Sequence, residues 1–117
     1  MIEQRLDRRI IPTDGTAFLP YDLEGPLQPD ISWLPVSYDR KRGEGSYLMR
    51  LQPGARTIDH EHPGYEEFVI LEGELTDSDG QTFRKGDFIS FKPGTRHNSW
   101  TKPGCLIAVF EWQPNRP

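Results

Sequence analysis

From Ile31 onward the chain repeats one simple unit, a short apolar or alternating run closed by turn residues. The runs are Ile31 to Val36, Ser46 to Leu51, Glu66 to Leu71, Phe88 to Phe91 and Cys105 to Trp112, four to eight residues each. That is strand length, and far short of a helix periodicity. Pro-Gly dipeptides stand between runs at Pro53-Gly54, Pro63-Gly64, Pro93-Gly94 and Pro103-Gly104. Proline presets the first central φ of a type II turn and glycine supplies the positive φ at the second. Asp79-Gly80, between Leu75 and Phe83, is a hairpin signal, and Gly73 and Gly86 mark further reversals. The pattern predicts an all-β domain of about nine short antiparallel strands, a sandwich or a barrel.

Residues 1–30 lack this rhythm. Ile2, Leu6 and Ile10 are spaced as one face of a short helix, but Pro12 and Gly15 end the pattern, and Pro20, Pro26 and Pro29 follow. The expectation is an extended N-terminal arm over 1–30 that packs on the barrel or on a partner subunit, a barrel over 31–113, and a tail over 114–117.

Composition agrees with many short elements. Eleven Gly and eleven Pro in 117 residues argue against long helices. The length suits one domain with one core. Net charge is −4, and the one basic cluster, Arg40-Lys41-Arg42, lies beside Asp39 and Gly43 and reads as a solvated turn. A nucleic-acid surface is therefore not expected. Cys105 is the single cysteine, so no intramolecular disulfide forms, and it reads as a small apolar filler in a strand. The charged stretch from Met1 to Ile11 is no signal peptide, and no apolar run is long enough to span a bilayer. A cytoplasmic protein without membrane contact is the expectation.

Chemistry concentrates between Gly54 and Gly73. Successive side chains of a strand point to opposite faces, so His60 and His62 share one face. Pro63-Gly64 turns the chain, and Glu66 opens a strand that returns beside the first. Two imidazoles and a carboxylate suit Mn, Fe, Co, Ni or Zn and suit Ca or Mg poorly. A second segment, Gly86 to His97, reads as turn, strand, Pro-Gly turn, strand, and brings His97 as a third imidazole from across a barrel. Read singly, each histidine is an ordinary surface or barrel-end residue. Together they account for all three histidines of the chain, with none left over.

At these residues the sequence resembles the cupins, the superfamily of RmlC-like jelly-roll barrels. Gly54, His60, His62, Glu66 and Gly73 meet the first cupin motif without a gap. The six residues between Glu66 and Gly73 favour Glu66 over Glu67 as the ligand. Gly86, Gly94 and His97 meet the second motif. The proline departs from it, standing at Pro93 directly before Gly94, and Thr101 occupies the place of the terminal Asn. The resemblance spans Trp33 to Trp112. The run from His60 to Glu67, with Val69 to Leu75 after it, is most similar to a subgroup containing the cupin half of zinc-binding anti-sigma factors and the acetylacetone-cleaving dioxygenases.

The resemblance implies one divalent transition metal (Fe, Mn, Ni or Zn) on His60, His62, Glu66 and His97, with two coordination positions open. It implies a metal-dependent enzyme of dioxygenase, isomerase or lyase type, with a small oxygenated molecule as substrate. A metal- or ligand-binding sensor module is the alternative, because the fold hosts many chemistries. The anti-sigma relatives carry an appended helical domain, for which the sequence shows no second unit. Strand alternation places Ile58 with His60, Phe68 and Ile70 with Glu66, and Ser99 with His97, as the pocket lining. Tyr65, between ligands, is either an acid or gate, or an exposed loop aromatic. Arg96 and Glu67 are expected on the outside, as are Trp100 and Trp112. For the run 87–91 the phase stays open between Phe88 with Ser90 and Ile89 with Phe91. Open sheet edges and the Pro-rich arm suggest a homodimer.

Overall fold

The computed structural model describes residues 6–114. No helix occurs among them. The strands are β1 (Leu19–Tyr21), β2 (Gln28–Pro35), β3 (Gly45–Leu51), β4 (His60–Glu61), β5 (Tyr65–Asp77), β6 (Thr82–Arg84), β7 (Phe88–Phe91), β8 (Arg96–His97), β9 (Ser99–Trp100) and β10 (Cys105–Trp112). The main sheet runs β1-β2-β3-β10-β5-β6, with β7 and β9 also on β5, and β4 pairs β8 in a small second sheet. Every pairing is antiparallel. The result is a single-domain antiparallel barrel, one of the two architectures the pattern of short runs left open and the one the cupin resemblance implied.

The strand β5 organises the fold. Its first half lies between β10 and β7, and its second half pairs β6 and β9. The hinge is a bulge: opposite β10, Ile107 faces Ile70 while Leu106 faces Glu72, leaving Leu71 as the extra residue. A bulge kinks a strand and adds twist, which is how one chain serves both walls of a barrel. Gly73 completes the bend. Its φ is +76°, and a Cβ there would lie 2.0 Å from the Gly104 carbonyl oxygen. Only glycine permits that approach.

The bulge also reverses the parity of burial along β5. Before it Glu66, Phe68 and Ile70 are buried, and after it Leu75 and Asp77 are. In β7 the inward pair is Ile89 and Phe91, both packed on the core, while Phe88 faces out.

The barrel core is Ile31, Trp33, Tyr47, Met49, Leu51, Phe68, Ile70, Leu75, Ile107, Val109 and their neighbours. A second apolar cluster lies elsewhere: Leu34, Leu48 and Leu106, met by Ile11 and Phe18 from the N-terminal segment. The sheet reaches further toward the N-terminus than the change of pattern at Ile31 indicated. Tyr21 pairs with Gln28, and the connection between β1 and β2 carries Glu24 to the barrel mouth, where it meets His60. Of the apolar positions at Ile2, Leu6 and Ile10, Leu6 and Ile10 are exposed and outside any helix, and Ile2 lies outside the described residues.

Candidate metal centre

The short sheet β4-β8 builds the site. His60 lies opposite His97 in it, and Glu61 opposite Arg96. His62 follows β4 and is fixed through its backbone, its N–H donating to Thr95 O and its carbonyl accepting from Gly94 N, both at 2.8 Å. Pro63-Gly64 then turns the chain into β5. A Cβ at Gly64 would lie 2.4 Å from the Trp112 carbonyl oxygen, so the turn passes against β10. Glu66 enters on the inward phase of β5 as the alternation predicts.

His62, Glu66 and His97 offer one donor atom each within 4.8 Å of one another, and all three are buried. His62 Nδ1 is 3.2 Å from Glu66 Oε2, and His97 Nε2 is 3.9 Å from Glu66 Oε1. Donors bonded at about 2.1 Å to one ion stand roughly 3 to 4 Å apart, so the spacing is that of a ligand set. His60 stands beside this group, with its ring centroid 4.5 Å from that of His62 and 5.9 Å from that of His97.

Proton accounting tests whether these residues fit an ion. Asp77 Oδ1 accepts from His97 Nδ1 at 2.7 Å, so His97 Nε2 carries the lone pair. That nitrogen faces His62 Nε2 at 2.7 Å. The Ile58 carbonyl accepts from His60 Nδ1 at 2.6 Å, so His60 Nε2 is the ring nitrogen turned toward Glu24. This atom is buried and has no hydrogen-bond partner. It approaches Glu24 Oε1 at 3.3 Å, but without hydrogen-bond geometry. With His97 Nε2 as the acceptor, His62 Nε2 donates across that contact, and His62 Nδ1 keeps its lone pair toward Glu66. A divalent cation can take the place of the protons these donors share, and the mixed N and O set suits a transition metal.

The electrostatics point the same way. Burial lowers the His62 pKa to about 3, with His60 and His97 adding to the effect, so its imidazole is neutral and available. Burial pushes Glu66 well above the usual carboxylate range, and the charges of Glu111, Glu24 and Asp77 add to this. For Asp77, burial raises the pKa, but the hydrogen bonds from His97, Ser99 and the Ser78 backbone outweigh it and hold it low. Asp77 is therefore the ionised partner that orients His97, as carboxylates commonly do behind metal-binding imidazoles. Ser99 Oγ donates to the same oxygen at 2.9 Å.

Two spaces adjoin the donors. An interior cavity of about 40 Å³ is lined by Phe68, Met49, Ile107 and Val109 on its apolar side and by Glu24, His60, Glu66, His97 and Ser99 on its polar side. An outer cleft of about 180 Å³ is lined by Glu24, His60, His62, Tyr65, Glu111 and Gln113 among others. Of the predicted lining, Phe68 and Ser99 face the inner cavity. Tyr65 lines the outer cleft, stacked on Trp112 at 5.2 Å. Ile70 lies in the core, and Ile58 contributes its carbonyl to His60. Arg96 faces out and pairs with Asp59 at 3.3 Å.

Three residues of the site escaped the sequence reading. Asp77 was hidden by the bulge, which reverses inward parity after Leu71. Glu24 lay in the irregular arm. Glu111, which accepts from Tyr47 Oη at 2.5 Å, sits in a strand whose phase alone does not distinguish it from other acids. The one signal available was Asp77 at the edge of the Asp79-Gly80 turn.

An antiparallel barrel with inward-facing histidines and a glutamate at the junction of a short sheet and a long bulged strand is a cupin. The chain matches the profile of the ChrR cupin-like domain over residues 21–115 and belongs to that family. Its fold is similar to that of an acetylacetone dioxygenase from Acinetobacter johnsonii (TM-score 0.75, 13% identity, 95% of this chain and 78% of that one). It is similar to the polyketide cyclase RemF from Streptomyces resistomycificus (TM-score 0.74, 20% identity, 96% and 83%). It is also similar to a chain of the Rhodobacter sphaeroides complex of SigE with the anti-sigma ChrR (TM-score 0.64, 17% identity, 86% and 51%), of which it spans about half. No curated protein matches the sequence. No helix among the described residues is long and apolar enough to cross a membrane.

Proposed function

We propose that the protein is a metal-dependent enzyme that acts on a small oxygenated molecule, with His60, His62, Glu66 and His97 holding one divalent transition metal. The observation that supports this most is the convergence of the buried donors of His62, Glu66 and His97, with His60 beside them, next to a cavity with one apolar wall. When bound, an Fe, Mn, Ni or Zn ion supplies Lewis acidity toward a coordinated oxygen. The chain's own residues do the rest. Asp77 and the Ile58 carbonyl hold the Nδ1 protons of His97 and His60, so that each presents Nε2 inward. Phe68, Met49 and Val109 exclude water, which strengthens every charge interaction in the cavity. Burial raises the Glu111 carboxyl above its ordinary value, and from the wall of the cleft it is placed to take or give a substrate proton. The small inner cavity favours a substrate of few atoms, such as a diketone or an oxygenated acid, entering from the cleft beside Tyr65. Loss of a proton from such a substrate opens it to attack by O2, to isomerisation or to elimination.

The test is a panel of diketones, hydroxy acids and catechol-like compounds, assayed for turnover and for oxygen uptake with the protein loaded with Fe²⁺, Mn²⁺, Ni²⁺ or Zn²⁺. Chelator-sensitive turnover of at least one compound is expected. Stoichiometric metal with no turnover of any compound would turn the reading toward the alternative, a sensor module. The ChrR-type family and the anti-sigma neighbour favour that alternative. In either case the exposed stacked pair Phe88 and Phe110, with Leu71 near it in the sheet, supports a homodimer.

A further inference from the structure

We infer that Glu24, which lies outside both histidine-bearing segments, is a further metal-binding carboxylate of this centre. The inference rests on the metal-centre reading above and extends it to the connection between β1 and β2.

Four observations carry it. Glu24 Oε1 lies 3.3 Å from His60 Nε2, the spacing of adjacent donors on one ion. His60 Nε2 is buried and has no hydrogen-bond partner, while Nδ1 donates to Ile58 O. The Glu24 carboxylate is itself held in place: Tyr21 Oη donates to the same oxygen at 3.1 Å, and the Tyr21 ring is buried against Trp33. Finally, Glu24 lines both the inner cavity and the outer cleft, and so stands at the passage between them with His60.

Charge favours the same assignment. A divalent ion on three neutral imidazoles and Glu66 leaves one positive charge in a largely apolar barrel. A second carboxylate makes the assembly neutral, which lowers the cost of burying it. Glu61 and Glu111 also line the cleft, but Glu61 is exposed and Glu111 accepts from Tyr47 through Oε2. The consequence is structural as well as chemical: the N-terminal segment closes the mouth of the barrel by contributing a ligand, so metal binding and docking of residues 22–27 are coupled.

The experiment uses the full chain and compares Glu24→Gln with the exposed, nearby Glu61→Gln. Zn²⁺ and Co²⁺ affinities are read by competition with a chromophoric chelator, the Co²⁺ adduct by its visible spectrum, and the 22–27 backbone by hydrogen exchange with and without Zn²⁺. Circular dichroism checks that each variant is folded. The inference expects Glu24→Gln to weaken binding by about tenfold or more and to alter the Co²⁺ bands, while Glu61→Gln changes affinity less than about twofold. It also expects Zn²⁺ to slow exchange over 22–27 in the native chain only. Native-like affinity in Glu24→Gln overturns it. Equal losses in both variants overturn it as a general effect of charge. Weaker binding with an unchanged Co²⁺ spectrum overturns it in favour of a positioning role. Failure of the native chain to bind either metal is a different result, since it removes the metal-centre reading itself.

Discussion

Asp77 Oδ1 lies 2.7 Å from Nδ1 of His97, and that single contact decides which nitrogen of His97 faces the barrel interior. Neither residue reaches the other by local sequence. Asp77 ends a 13-residue strand, and His97 arrives twenty positions later on a two-residue strand paired to His60. The bulge at Leu71 gives Asp77 its inward phase.

Replacing Asp77 with Asn removes the charge while keeping the shape. The amide can present N–H to the ring and favour the wrong tautomer, so His97 Nε2 no longer carries its lone pair inward. Metal affinity should fall by about 10- to 100-fold, measured by chelator competition. Asp77→Asn is expected to keep its strand content by circular dichroism.

The pKa of Glu66 sets the pH dependence of metal binding. Burial and the neighbouring acids raise it, so the metal-free protein holds a proton there above the usual carboxylate range. An ion must displace that proton, so affinity rises with pH, by about tenfold per unit below the raised pKa. His62, lowered to about 3, contributes nothing to this slope above about pH 4. The sign for folding follows from the same linkage. A raised folded-state pKa stabilises the metal-free protein below the unfolded pKa, and that stability is lost as pH rises toward the folded value. Calorimetry in buffers of different ionisation enthalpy, repeated across a range of pH, should show proton release on metal binding that grows as pH falls toward the ordinary carboxylate range. Zero release at every pH contradicts the assignment of Glu66.

Thr101 stands where the cupin pattern places Asn, and the structure gives it a task of its own. It is 1% exposed, and its Oγ1 donates to Glu74 O at 2.6 Å and accepts from Gly104 N at 3.0 Å. Thr101→Val has nearly the same shape but removes the hydroxyl from both backbone groups. It should cost about 1 to 3 kcal/mol in urea unfolding, with little change in metal affinity.

Two glycines with positive φ separate strain from collision. At Gly54 (φ +86°) nothing lies within 4 Å of an added Cβ, whereas at Gly73 the Gly104 carbonyl oxygen lies 2.0 Å away. Gly54→Ala should cost only its conformational strain, about 1 to 3 kcal/mol, and Gly73→Ala clearly more, as read from thermal unfolding of the two variants.

Much of this architecture was legible in the runs and turns. The phase of Glu66, Phe68 and Ile70, the strand at Phe88 to Phe91 and the hairpin at Asp79-Gly80 follow from alternation and turn chemistry alone. What was not legible depends on irregularity. A single extra residue, Leu71, reverses parity and hides Asp77. The phase of Phe88 to Phe91 needed the neighbouring strand, because both of its faces carry an aromatic. Glu24 belongs to a segment with no periodicity, and its position follows from the pairing of Tyr21 with Gln28. His60 and His62 share a strand face by spacing. In the fold, however, His60 stands slightly aside, toward Glu24 and the Ile58 carbonyl, while His62 joins Glu66 and His97.

Crystals of the full chain grown with Co²⁺ or Zn²⁺, with diffraction recorded on both sides of the metal absorption edge, test the common centre most directly. The expected result is one strong anomalous peak inside the barrel, about 2.0 to 2.3 Å from nitrogens of His60, His62 and His97 and an oxygen of Glu66. Metal bound at one equivalent with its peak elsewhere, or a peak that leaves out His97 while its ring stays on Asp77, would contradict the account.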